Sequence, residues 1–214
     1  MWAYRTNVES KLRPIVEIKN LVLNSPSVQS LILTKQDSIA AGEIFSKLAA
    51  DIRPPVLKLF GWFLRKLWRS IYDKVVVDEK TLKKIAKWRQ EQKCPTIYLP
   101  THRSYIDFLV ISYVLFSYGL EVPYIAARED FLKILLVNHV LRHSGAFFIK
   151  SNAGSEELYQ AIFSEYIKVL LRHSQPIEFF LEGTRSRTGK MLHPKLGMLK
   201  ICTDTYYDGE IKDL

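Results

Sequence analysis

Two short polar blocks, each directly behind an apolar run of strand type, hold the residues best suited to chemistry. The first is His102-Arg103-Ser104-Tyr105-Ile106-Asp107, behind the β-branched and aromatic run Thr96 to Pro100 and ahead of a long apolar stretch that reads as a helix. A neutral imidazole takes a proton from an alcohol when its other ring nitrogen keeps its own proton, and a nearby carboxylate fixes that tautomer and stabilises the imidazolium formed. His102 and Asp107 are the right types for such a pair, with Asp107 about one helical turn further along and able to reach back to the ring. The competing reading is a helix-capping histidine followed by an ordinary first-turn aspartate.

The second block, Phe180 to Arg187, follows the run Gln175 to Phe179 and brings Glu182, Gly183, Thr184, Arg185, Ser186 and Arg187 into one turn. Glycine permits a tight backbone there. The planar fork of an arginine matches phosphate oxygens with two parallel hydrogen bonds, so Arg185 and Arg187 are candidate ligands for a phosphorylated substrate. Taken alone, a solvated basic turn with Glu182 as its ion-pair partner explains the same residues.

A third block, Gly145-Ala146-Phe147-Phe148-Ile149-Lys150-Ser151, lies between these two. With the three blocks in this order, the chain resembles the glycerophospholipid acyltransferases. Their members share a His-x4-Asp block, a Gly-x-x-Phe-Ile-x-Arg block, a Glu-Gly-Thr-Arg block and a final apolar-Pro block. The resemblance implies that His102 is a general base oriented by Asp107. It also implies that Glu182, Gly183, Thr184 and Arg185, and more weakly Lys150, hold a phosphorylated three-carbon acceptor, beside the Arg187 already read as a candidate phosphate ligand. That acceptor is dihydroxyacetone phosphate in the first place, with glycerol 3-phosphate as the alternative. The acceptor oxygen would attack the thioester of a long-chain acyl-CoA directly, with acyl-CoA as co-substrate and no cofactor. The implied location is peripheral attachment to the peroxisomal membrane, with mitochondrial or endoplasmic reticulum membranes as alternatives.

Two features depart from the family pattern. Ser151 stands where the third block usually carries arginine, and Lys150 beside it offers a point charge without the bidentate fork. The chain also ends at Leu214 before any fourth block, so a core strand and more C-terminal sequence are expected beyond it. A catalytically inactive, membrane-binding relative is the reading these departures favour.

Nothing in the text suggests a covalent route. No serine lies in a Gly-x-Ser-x-Gly elbow, and neither Cys94 nor Cys202 has a histidine close by in sequence. Two widely separated cysteines make no disulfide framework and suit a reducing compartment. His139, His143, His173 and His193 show no metal-ligand spacing.

To position the blocks, the text from Thr96 alternates strand and helix, as expected for an α/β domain with a largely parallel sheet, helices on its faces and the blocks at strand ends. Strand runs are Thr96 to Pro100, Val122 to Ala127, Gly145 to Ile149 and Ile177 to Leu181, with a helix starting after an N-cap at Ser155. Before them, helical patterns cover roughly Asp37 to Ala50, Pro54 to Tyr72 and Glu79 to Lys93 behind a polar N-terminal stretch. The expected division is a basic helical region over residues 1–93 and an acyltransferase-like α/β domain over 94–214.

Charge follows the same division. Through Lys93 there are 18 basic against 9 acidic residues, and after it 13 of each, so the whole net charge of +9 precedes the first block. That distribution suits a layer meeting an anionic surface better than steering of substrate into the site. Pro54 to Tyr72 is the candidate: aromatic and aliphatic residues interleave with Lys58, Arg65, Lys66 and Arg69, fitting a helix in the lipid headgroup region or a core helix. The apolar run Phe108 to Leu120 has 13 residues, short of the ~20 that a bilayer span needs. The N-terminus has no signal-peptide pattern. No nucleic-acid partner is expected: only the basic charge suggests one, without zinc spacing, an RNP-like aromatic block or an arginine-rich tract.

Overall fold

The structure is a computed structural model and describes residues 12–104, 106–130, 135–150 and 156–214. All four expected strand runs pair into one parallel sheet, made of β1 (Ile97–Tyr98), β2 (Tyr124–Arg128), β3 (Ala146–Ile149) and β4 (Ile177–Glu178). Parallel neighbours need crossover connections, and the intervening apolar text supplies them as α6 (Asp107–Ser117), α7 (Leu135–His143) and α8 (Glu157–Arg172). The strand order is β1-β4-β2-β3. β4, the last strand in sequence, is inserted between β1 and β2, so the loops leaving β1 and β4 emerge side by side at the carboxyl edge. That edge is where open α/β sheets bind their ligands.

Ahead of the sheet come α1 (Ile15–Leu23), α2 (Pro26–Gln29), α3 (Lys35–Leu48), α4 (Pro54–Ile71) and α5 (Glu79–Gln92), and behind it α9 (Gly197–Tyr207). The three helices expected from the sequence match α3, α4 and α5 to within two residues at each end. Local chemistry sets their starts. Thr34 and Asp37 exchange side chain-to-backbone hydrogen bonds as a capping box, and Asp78 accepts the Thr81 N–H at 3.2 Å. The polar reading of the N-terminal stretch misses α1. Its buried residues Ile18 and Val22 lie one turn apart, and packing against other helices stabilises them rather than a long amphipathic pattern. The expected cap at Ser155 lies outside the described residues.

Both faces of the sheet are covered, as a parallel sheet requires. On one face α8 buries nine of its sixteen residues. Tyr166, Ile167 and Leu170 join Phe147 and Ile177 of the sheet and Ile18, Phe45 and Leu48 from the N-terminal helices in the main core. That core draws on sequence from both sides of Lys93.

On the other face lie α4, α6 and α7. Gly61 lets α4 approach α6, since a Cβ there would stand 2.7 Å from the Phe116 ring. Leu57, Gly61, Leu64 and Trp68 form the buried stripe of α4, while Leu59, Trp62 and Phe63 stay exposed. Arg89 ties α5 to the sheet, donating to Thr96 Oγ1 at 2.7 Å and pairing with Glu121.

Candidate active site

His102 sits in the loop between β1 and α6. Its Nδ1 lies 3.2 Å from Oδ2 of Asp107, the first residue of α6. The same oxygen accepts the N–H groups of Arg103 at 2.8 Å and Ser104 at 2.7 Å, so the loop backbone fixes the carboxylate that orients the ring. Phe180 packs on the imidazole with ring centroids 4.3 Å apart. The His102 side chain is 16% exposed, and its Nε2 has no hydrogen-bond partner among the described residues. A ring held through Nδ1 with Nε2 open has the geometry of a general base.

The second block closes on the first from β4. Glu182 is buried; its Oε1 accepts the His102 N–H at 2.9 Å and its Oε2 accepts the Leu192 N–H at 3.0 Å. These main-chain donors, His102 first, hold its carboxyl below the usual carboxylate range. The Ser186 N–H in turn donates to the His102 carbonyl at 3.1 Å. The main chain of His102 is therefore gripped at both its N–H and its C=O by residues about eighty positions away. Between the two grips Gly183 makes the turn at φ +64°, a left-handed conformation that favours glycine. In this geometry Glu182 braces the histidine.

Thr184 and Arg187 are exposed on that turn and Arg185 is half-buried. Lys195 adds a cation that the sequence reading passes over. Its N–H donates to the Leu181 carbonyl at 2.7 Å, and its side chain crosses Gly183, with Nζ 3.5 Å from where a Cβ would sit. The signal for it was the Pro194-Lys195 pair shortly after the block; the signal for Phe180 was its place at the block's start. Lys150 is not brought to this cluster. It follows β3, the edge strand two places from β4, about 10 Å away at ordinary strand spacing. Its ammonium pairs with Glu156, and its N–H donates to Tyr159 Oη at 2.8 Å. Ser151 lies outside the described residues. The structure thus assembles His102, Asp107, Glu182, Gly183, Thr184, Arg185 and Arg187, and sets Lys150 apart.

An apolar cavity adjoins the first turn of α6, lined among others by Leu57, Phe60 and Leu64 of α4, Phe108 and Leu109 of α6, and Ile125 of β2. Both cysteines are buried, and burial pushes the Cys202 thiol up to about 12, far from a nucleophile's range.

Residues 73–211 match the Acyltransferase family. Over 207 residues, 92% of this chain, the sequence is 42% identical to the dihydroxyacetone phosphate acyltransferase of Mus musculus, and covers 30% of that protein. It is 38% identical over 157 residues to a glycerol-3-phosphate acyltransferase of Pseudomonas aeruginosa (strain LESB58), covering 73% of this chain and 18% of that one. The crystal structure of the 1-acyl-sn-glycerophosphate (LPA) acyltransferase PlsC from Thermotoga maritima aligns with TM-score 0.39 and 20% identity, over 70% of this chain and 69% of that one. The chain spans about 30% of the length of the dihydroxyacetone phosphate acyltransferase it matches.

Proposed function

The chain belongs to the acyltransferase family, and from that premise we propose that it carries the active site for O-acylation of dihydroxyacetone phosphate by a long-chain acyl-CoA. The observation that carries this reading is the braced His102–Asp107 pair with the basic turn of residues 182–187 folded against it. His102 Nε2 removes the proton from the acceptor hydroxyl as its oxygen attacks the thioester carbonyl. Asp107 stabilises the imidazolium formed. When the tetrahedral intermediate collapses, the C–S bond breaks and the imidazolium proton passes to the departing thiolate. The hydroxyl proton thus ends on coenzyme A and His102 is regenerated. No enzyme nucleophile and no cofactor takes part.

Thr184, Arg185 and Arg187 face the acceptor phosphate, with Lys195 beside them and Lys150 at the outskirts. Two parallel guanidinium hydrogen bonds suit a phosphate better than an ammonium does. The apolar cavity behind Asp107 offers the start of a path for the acyl chain. Glycerol 3-phosphate is the alternative acceptor, supported by similarity to a relative named for it. The two acceptors differ at one carbon, ketone against alcohol, and the phosphate ligands serve both equally.

We also propose that α4 rests on an anionic membrane surface. Its half-exposed Trp62 and Phe63 and exposed Leu59 lie among Lys58, Arg65, Lys66 and Arg69. No helix among the described residues is long and apolar enough to cross a membrane. By family resemblance the membrane is peroxisomal.

The test is acyl transfer from palmitoyl-CoA by the full-length protein, with both acceptors competing and His102→Ala as control. A His102-dependent preference for dihydroxyacetone phosphate is expected. Preference for glycerol 3-phosphate moves the assignment to the alternative, and full activity in His102→Ala removes the proposed base.

A further inference from the structure

Behind the catalytic pair lies a carboxyl group that the mechanism above does not use. Successive residues of a strand face opposite sides of the sheet. Ile97, Tyr124 and Ile177, aligned in register, belong to the main core on the α8 side. Tyr98, Ile125 and Glu178, the next row, therefore face the helix layer that contains α6, and Ile125 lines the apolar cavity with Phe108 and Leu109. Glu178 has no exposed surface, and neither of its oxygens has a hydrogen-bond partner among the described residues. The hydroxyl of Tyr98, its neighbour on β1, is equally unpartnered.

An ionised carboxylate in such a place would be an unpaired buried charge, among the most unfavourable arrangements a protein can hold, whereas the neutral acid is tolerated. Burial, and after it the charge of Asp107, push the Glu178 carboxyl up to about 8. Asp107 has the opposite surroundings, with three donors on Oδ2. Two neighbouring carboxyl groups in contrasting environments are how active sites divide roles between a charged and a neutral acid.

We propose that Glu178 is a positioning residue that serves the His102–Asp107 pair in its protonated form, and that its ionisation drives Asp107 away from His102. The inference rests on the reading of His102 as general base. The titratable and charged groups bearing on Glu178 are Asp107 from α6 and Tyr98 from β1, with the Arg89–Glu121 pair acting on Tyr98; Ile125 of β2 is apolar. As pH rises the acid loses its proton, a second negative charge appears beside Asp107, and the first turn of α6 shifts to relieve it. Turnover then falls through one group that touches neither substrate nor His102.

The experiment follows kcat and KM from neutral to alkaline pH for the full-length parent and Glu178→Gln, with Glu178→Met as a second neutral variant and His102→Ala as control. Thermal unfolding of each is recorded from about pH 4 to about pH 9, which spans the window between the unfolded and folded titrations of Glu178. The parent's kcat falls about tenfold per pH unit above about 8, with KM little changed, while the profile of Glu178→Gln stays level whatever its height. The same alkaline fall in Glu178→Gln overturns the proposal, and Glu178→Met is judged identically where the glutamine variant fails to fold. Should His102→Ala retain activity, the general-base reading fails by itself. The inference is then decided by unfolding: a parent whose Tm parallels that of the neutral variant at every pH overturns it, and a parent that loses Tm relative to it as pH rises supports the buried proton.

Discussion

Replacing Asp107 by asparagine isolates the charge of the pair from its geometry. Asp107 Oδ2 accepts from Arg103 N–H, Ser104 N–H and His102 Nδ1. An asparagine keeps its carbonyl oxygen there, because turning its amide would set NH2 against two N–H donors. The Nδ1–H of His102 therefore retains an acceptor and the ring its tautomer, and what disappears is the negative charge facing the imidazolium of the transition state.

With Nδ1 and Oδ2 3.2 Å apart and the side chains 16% and 22% exposed, the charge centres lie about 5 Å apart, worth ~3 kcal/mol at an effective dielectric near 20. That corresponds to a loss of about 10²-fold in kcat. KM for either substrate should hold. Loss of a carboxylate at the helix N-terminus should also lower stability by about 0.5 kcal/mol. The assay is steady-state acyl transfer by the full-length enzyme beside thermal unfolding. A variant within threefold of the parent in kcat would refute the pairing. A loss as complete as that of His102→Ala would refute the claim that asparagine preserves the tautomer.

Other perturbations test the surroundings of the pair. Native Glu178 keeps its proton up to about pH 8, whereas the unfolded side chain releases it near 4.5. Its contribution to stability is therefore full below pH 4.5 and is lost as pH rises to 8, by up to about 5 kcal/mol. Glu178→Gln should escape that loss, so the difference between the two unfolding curves opens over this window; a constant difference rules the proton out. Gly183→Ala forces a Cβ into a left-handed turn at φ +64° and within 2.7 Å of Lys195 Cδ, costing about 1 kcal/mol and displacing the lysine. KM for the phosphorylated acceptor should rise with a lowered Tm, and no change in either counts against Lys195 at the site. Glu182→Gln places an amide N–H where His102 or Leu192 presents its own donor, so kcat should fall more than KM rises. A change confined to KM would make Glu182 a substrate ligand instead.

Much of this architecture is legible in the sequence because the signals are local. Strand runs such as Ala146–Ile149 are short, apolar and β-branched or aromatic, and helix starts carry side-chain caps as at Thr34 and Asp78. The two blocks and their order are equally local. What escapes a sequential reading depends on strand order. Nothing in the text of β4 says that it enters between β1 and β2, and that insertion alone puts Glu182 and Ser186 on the backbone of His102. Glu178 escapes for a related reason: a glutamate among apolar strand residues reads as a solvated face, and only a sheet covered on both sides turns it inward. The roles of α1 and α9 are likewise set by what packs against them.

The insertion of β4 gives the site a dependence that neither block has alone. The contacts between Asp107 and residues 102–104 span at most five positions and can form as soon as α6 begins. The N–H and C=O of His102, by contrast, are satisfied only when the turn after β4 has arrived, because their partners are Glu182 and Ser186. An unpaired main-chain group in a half-buried loop favours other loop conformations, so until β4 is seated the imidazole has its acid but not its fixed direction. The same strand then delivers three things at once: the brace on His102, the basic turn proposed to face the acceptor phosphate, and Glu178 in the layer of α6. The proposed base and phosphate ligands are in this way coupled through one strand, so a change in the turn also reaches the main chain of His102.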